Sequence, residues 1–146
     1  MAKKFNVRVY GILLQEGAVL VSDEYIKGNK ITKFPGGGLE FGEGTRECLA
    51  REFKEELDLV VEVTDHFYTT DFYIKSAFND SQIISIYYLV RNVSPLNLVI
   101  KTKPYDFDGE GDVLQSFRWV KIEDMKPEDV TFPTDQHVVK LLIDSI

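Results

Sequence analysis

Glu52, Glu55 and Glu56 are the residues of this chain whose type and spacing could do chemistry. At 3.6 residues per turn, positions i, i+3 and i+4 share one helix face, so on a helix the three carboxylates converge. Asp58 adds a fourth anion near the same end, where the helix macrodipole is already negative. Left alone, each like-charge pair costs about 0.2–0.5 kcal/mol on an exposed helix, and the dipole adds a similar penalty. A divalent cation would remove both. Carboxylate oxygens suit magnesium, manganese or calcium better than zinc, and magnesium binds few carboxylates while keeping waters and taking substrate phosphates. The competing reading is a solvated acidic face with Arg51 and Lys54 nearby. The triplet Gly36, Gly37 and Gly38 just upstream bears on that choice. Backbone without side chains can approach an ion or a phosphate closely, and a carbonyl freed by a sharp turn into the helix can complete a metal shell.

The helix carrying these acids is expected to run from a Thr45 cap to about Leu57, with Leu49, Phe53 and Leu57 at i, i+4 and i+8 as its buried stripe. That stripe sits roughly opposite the glutamates. Around it, FNVRVYGILL and AVLVSDEY read as strands joined by a QEG hairpin, and ITKF as a third short strand before Pro35-Gly36. VVEVTDHFYTTDFYI reads as one or two strands. SQIISIYYLVR reads as a long strand apolar on both faces, which calls for a sheet covered on both sides. NVSPLNLVIKTKPYDFDGEGD is loop-like and acidic towards its end, SFRWVKI is a further strand, and PTDQHVVKLLIDSI is a second helix capped by Thr134, with Val138, Leu141 and Leu142 inward. Strands interleaved with two helices suggest a helix-sheet-helix sandwich of the α/β class, one domain over residues 1–146.

Bulk charge narrows the partners. The net charge of -7, from 17 basic against 24 acidic residues, disfavours nucleic acid and anionic membrane, because either needs a basic face. A polyanionic small molecule would need a bridging cation. Cys48 is the sole cysteine, so there is no disulfide framework, which fits a reducing, cytoplasmic setting. The start MAKKFNVRVYGILLQEG resembles a strand more than a signal peptide, and no segment approaches the roughly 18 consecutive apolar residues of a membrane span.

The pattern Gly-x5-Glu-x7-Arg-Glu-U-x-Glu-Glu-x-Gly-U, with U a bulky apolar residue, is the signature of the Nudix (MutT-like) hydrolases. The chain resembles it over residues 37–59, at Gly37, Glu43, Arg51, Glu52, Phe53, Glu55, Glu56 and Leu59. Asp58 departs from it, standing where the family has glycine. Since that glycine usually ends the helix in a left-handed cap, and Asp tolerates this conformation better than most residues, Asp58 is expected to replace it at modest cost.

The resemblance implies a Nudix-type α/β/α sandwich with a mixed sheet between helices. It implies hydrolysis of a nucleoside diphosphate linked to another moiety, with Glu52, Glu55 and Glu56 binding magnesium, or manganese in its place, and the Gly36 carbonyl as an extra ligand. Arg51 would orient the carboxylates through a salt bridge with Glu43. Glu52 is the first candidate for general base, and Glu110 in the late acidic loop DFDGEGD is the second. For the substrate, Arg8, Gly37 and Gly38 are candidates to meet phosphates, and Tyr10 and Tyr73 to meet the base. Tyr87 and Tyr88 adjoin on one strand and cannot face the same pocket. A homodimer through the edge of the FNVRVYGILL hairpin would match many relatives. The alternatives are a non-catalytic nucleotide-sensing module, and an isoprenoid diphosphate isomerase, which would need a reactive cysteine. Cys48 has no evident activating partner, and neither His66 nor His137 adjoins a nucleophile, so none of the three is assigned catalysis.

Overall fold

The computed structural model describes residues 3–145. In chain order the elements are β1 (Phe5–Gln15), β2 (Ala18–Ile26), β3 (Asn29–Lys33), β4 (Gly36–Gly38), α1 (Thr45–Leu57), β5 (Val61–Thr69), β6 (Gln82–Asn92), β7 (Val113–Lys121) and α2 (Pro133–Asp144), with two 3-10 turns before α2. Two compact units result, each discontinuous in sequence. One takes the chain up to Ile12 with Gly36–Asn97, and the other takes Leu13–Pro35 with Leu98 onwards.

In the first unit β1 pairs with β4, Arg8 opposite Gly38, Val9 opposite Gly37 and Tyr10 opposite Gly36. β6 lies on β1 and β5 on β6. The glycine triplet is therefore a strand and not the turn expected of it, because the β1 ladder supplies the pairing that glycine's weak strand preference does not. FNVRVYGILL likewise has no free edge for a second copy, since β1 is already paired with β4 and β6. On β6 the adjacent Tyr87 and Tyr88 are both buried, as pleating onto opposite covered faces requires.

Helix α1 packs its stripe as its spacing predicts: Leu49, Phe53 and Leu57 are buried, each contributing about 1.5–3 kcal/mol. The fit is close. A Cβ at Gly11 of β1 would lie 2.6 Å from the Phe53 ring, so any larger residue would push the helix off the strand. The N-cap is Gly44 and not Thr45. Glu47 accepts the Gly44 N–H at 2.9 Å, an acid in the first turn where the dipole favours it, while the Thr45 hydroxyl shares a 2.6 Å hydrogen bond with that of Tyr88. At the other end Asp58 adopts φ 49°, ψ 40°, the left-handed cap expected of it. Its N–H reaches the Lys54 carbonyl at 3.1 Å.

In the second unit β2 is central, paired along its length with β7 and on its other side with β3, while the end of β1 joins it through Leu14–Val19 and Gln15–Ala18. Both hairpin turns, Glu16-Gly17 and Lys27-Gly28, have positive φ at both residues, the form that matches strand twist. Helix α2 begins at Pro133, which is pre-set for a first helical position, so Phe132 and not Thr134 is its cap. Its buried residues include Val138, Val139 and Leu142, with Leu141 only half-buried. Among the described residues no helix is long and apolar enough to cross a membrane.

Candidate active site

Within the first unit, the β1–β4 ladder holds Gly37 directly beneath α1. A Cβ at Gly37 would collide with the Glu52 carboxylate, so only glycine lets that carboxylate rest on the strand backbone. Glu52 is held there, its side chain 16% exposed.

Arg51 organises the surrounding charge. Its Nε and Nη2 donate to the two oxygens of Glu43 at 3.0 and 2.8 Å, a bidentate pair that fixes the plane of the guanidinium. Nη2 also donates to the Gly38 carbonyl at 3.1 Å, tying α1 to β4. Nη1 donates to Glu52 at 3.1 Å and to Glu55 at 2.9 Å, and lies 3.8 Å from Glu40. Hydrogen bonding from Arg51, helped by the Glu40 N–H, lowers the Glu43 carboxyl from its ordinary 4.5 to about 2. Reciprocally, the carboxylates hold Arg51 more firmly protonated, with Glu43 the main cause. At the helix end Lys54 pairs with Asp58 at 2.6 Å and lowers the Asp58 carboxyl.

The crowd of anions is therefore compensated in part from within the chain, by Arg51 and Lys54. Compensation is incomplete, since one guanidinium faces Glu40, Glu43, Glu52 and Glu55. Arg51 engages one oxygen each of Glu52 and Glu55, leaving the second for another cation. Oxygen-only donors and the Glu52–Gly37 contact fit a hard divalent ion. Among the described residues no three His, Cys, Asp or Glu side chains are already gathered into a ready cage.

The other candidates fall in several places. Arg8 lies opposite Gly38, as close as 3.7 Å to where a Cβ would stand, and its Nε donates to the Tyr10 hydroxyl at 2.7 Å. Tyr10 is 6% exposed and its ring packs against Tyr87 with centroids 5.3 Å apart, so it offers its hydroxyl end more than a stacking face. Gly36 is buried opposite Tyr10, Glu56 is half-buried on α1, and Tyr73 is exposed in the stretch after β5. Glu110 belongs to the second unit, exposed between β6 and β7. Cys48 is fully buried beside Gly38 and Arg51, and burial pushes its thiol up to about 12, so it is protonated at neutral pH and unsuited to the isomerase chemistry. Sequence reasoning did not pick out Glu40, although its place three residues before Glu43 in the same turn was a usable signal.

A NUDIX domain model matches residues 3–142. The chain belongs to the Nudix family. Solved structures similar to it include a NUDIX hydrolase from Nitrosomonas europaea, with a TM-score of 0.72 and 19% identity, covering 97% of this chain and 90% of that one. A MutT NUDIX hydrolase from Burkholderia pseudomallei gives 0.72 at 16% identity, covering 95% and 98%. An ADP-ribose pyrophosphatase from Streptococcus suis gives 0.61 at 15%, covering 96% and 90%. The fold is thus the Nudix α/β/α fold, with a mixed sheet and helices. As a Nudix hydrolase the chain is an enzyme of the pyrophosphohydrolase class, and Nudix hydrolases generally use divalent metal ions.

Proposed function

We propose that this Nudix chain is a magnesium-dependent nucleotide diphosphohydrolase, acting as a single cytoplasmic domain over residues 1–146 with its functional box at 37–59. The observation carrying this reading is the excess of carboxylate around Arg51, set on the strand backbone at Gly37. Glu52, Glu55 and Glu56 would hold the metal, magnesium or manganese, with the Gly36 carbonyl as a further ligand. When bound, the ion neutralises the diphosphate and makes water a better nucleophile.

The remaining work falls to the chain. Arg51 keeps Glu52 and Glu55 turned to one side, at the cost of no proton, since it stays charged. Water attacks one phosphorus, the bridging P–O bond breaks, and the proton passes to a carboxylate, Glu52 first and Glu110 second. Arg8, Gly37 and Gly38 are the candidates to meet phosphate oxygens, and Tyr10 and Tyr73 the candidates for contact with the base. The excess of acids over bases favours a small anionic substrate brought in with its cation over nucleic acid.

The test is a panel of nucleoside triphosphates, nucleotide sugars, ADP-ribose and dinucleoside polyphosphates incubated with magnesium, with product analysis, for the wild type and for Glu55→Gln and Glu56→Gln. Turnover should require magnesium and fall by about 10²–10⁴-fold in both variants, the size expected when charge stabilisation and proton transfer are disrupted. Unchanged turnover would remove the assignment, and binding without turnover in the wild type would favour a sensor.

A further inference from the structure

The second unit contains a buried charge network that the proposed chemistry does not use. Asp23, in the middle of β2, is fully buried, and Arg118 on β7 grips it with Nε to Oδ2 at 2.6 Å and Nη2 to Oδ1 at 3.2 Å. The Thr32 hydroxyl on β3 donates to Oδ1 at 2.7 Å. The remaining partner comes from a loop. The Tyr105 N–H donates to Asp23 Oδ2 at 3.3 Å, and its phenol oxygen lies 3.0 Å from the Thr32 hydroxyl oxygen. Tyr105 has φ 57°, a backbone state that a bulky residue holds only when its surroundings enforce it.

The same loop is pinned at further points. The Lys101 N–H bonds to the Phe117 carbonyl at 2.8 Å, its ammonium pairs with Asp108 at 2.9 Å, and the Lys27 N–H bonds to the Asp112 carbonyl at 2.8 Å. Lys30 sits over the Tyr105 ring at 5.4 Å. Between the Asp108 and Asp112 anchors stands Glu110, flanked by Gly109 and Gly111 with φ 94° and 144°. Two strands, β3 and β7, thus lend polar groups to one carboxylate on β2 whose loop-side partner is a residue five positions before Glu110.

We infer that Asp23 is a positioning residue for Glu110: through Tyr105 it fixes the loop that carries this carboxylate. The inference rests on the reading of Glu110 as a group taking part in hydrolysis. An exposed carboxylate between two glycines holds no direction of its own, so misplacement by about 1 Å can cost roughly 10²-fold in rate. Fixing the loop limits that loss.

The experiment measures kcat and KM with ADP-ribose and magnesium, or with whichever panel substrate is turned over fastest, for Asp23→Asn, Tyr105→Ala, Glu110→Gln and the two double variants with Glu110→Gln. Amide hydrogen exchange over residues 105–112 accompanies it. Asp23→Asn and Tyr105→Ala should each speed exchange in that segment and lower kcat about tenfold, with KM within about twofold. In the Glu110→Gln background neither should lower kcat further, because both act through the same carboxylate. If Asp23→Asn does not fold, Tyr105→Ala decides, since Tyr105 is only half-buried. A full multiplicative loss in the double variants, or unchanged exchange and kcat in Tyr105→Ala, would overturn the inference and leave Glu110 standing. Unchanged kcat in Glu110→Gln alone would instead remove the role of Glu110, and the inference with it.

Discussion

Two arginines organise charge in this protein, and they do so in opposite ways. Arg118 meets one carboxylate, Asp23, which is fully buried and whose other bonds come from a hydroxyl and a backbone N–H. Charge there is balanced and the network is closed. Arg51 is a quarter exposed and faces four carboxylates, three of which meet it through a single oxygen. Both are fork-shaped Arg–carboxylate pairings, but only the second carries surplus negative charge at a surface that a cation can reach. What separates the two networks is this imbalance, not the number of salt bridges, and the proposed ion binding rests on it.

Neutralising each arginine sharpens the contrast. Arg118→Gln leaves Asp23 charged and buried without its partner, which should cost about 3–5 kcal/mol in chemical denaturation. Arg51→Gln acts at a partly solvated site, so its effect on stability should be no more than about 1 kcal/mol, while turnover falls steeply because Glu52 and Glu55 lose their common anchor. Equal destabilisation by the two substitutions would break the distinction.

A smaller effect is expected with pH. Because the folded Glu43 carboxyl titrates near 2 rather than 4.5, its contribution to stability is fully present above about 4.5 and fades as pH falls towards 2. Stability curves of wild type and Glu43→Gln should therefore differ most at neutral pH and converge in acid. A gap that stays constant down to pH 2 would show that Arg51 does not depend on the Glu43 charge.

The Arg51 network was legible in the sequence because its residues are close together in the chain. Glu43 and Arg51 are eight residues apart, the three glutamates repeat on one helix face, and Leu49, Phe53 and Leu57 mark the buried stripe, which adjoins that face more closely than its spacing suggested. The left-handed state of Asp58 could be read from local preference alone. The Arg118 network joins residues 95 apart, and Asp23 in AVLVSDEY looks like an ordinary polar strand residue until β7 pairs with β2. Caps were misplaced for a related reason. Gly44 and Phe132 cap without side-chain bonds, so the nearby Thr45 and Thr134 looked the better choices. The pairing of Gly36–Gly38 with β1 depends on a strand about 28 positions earlier, which propensity cannot report.

Titration with manganese, a paramagnetic stand-in for magnesium, in the presence of a nucleotide and followed by NMR, bears most directly on the surplus charge at Arg51. Resonances of Glu52, Glu55 and Glu56 should broaden first, and Glu55→Gln with Glu56→Gln should abolish the effect while the fold persists. Broadening spread evenly over the acidic surface, or none on α1, would contradict the account.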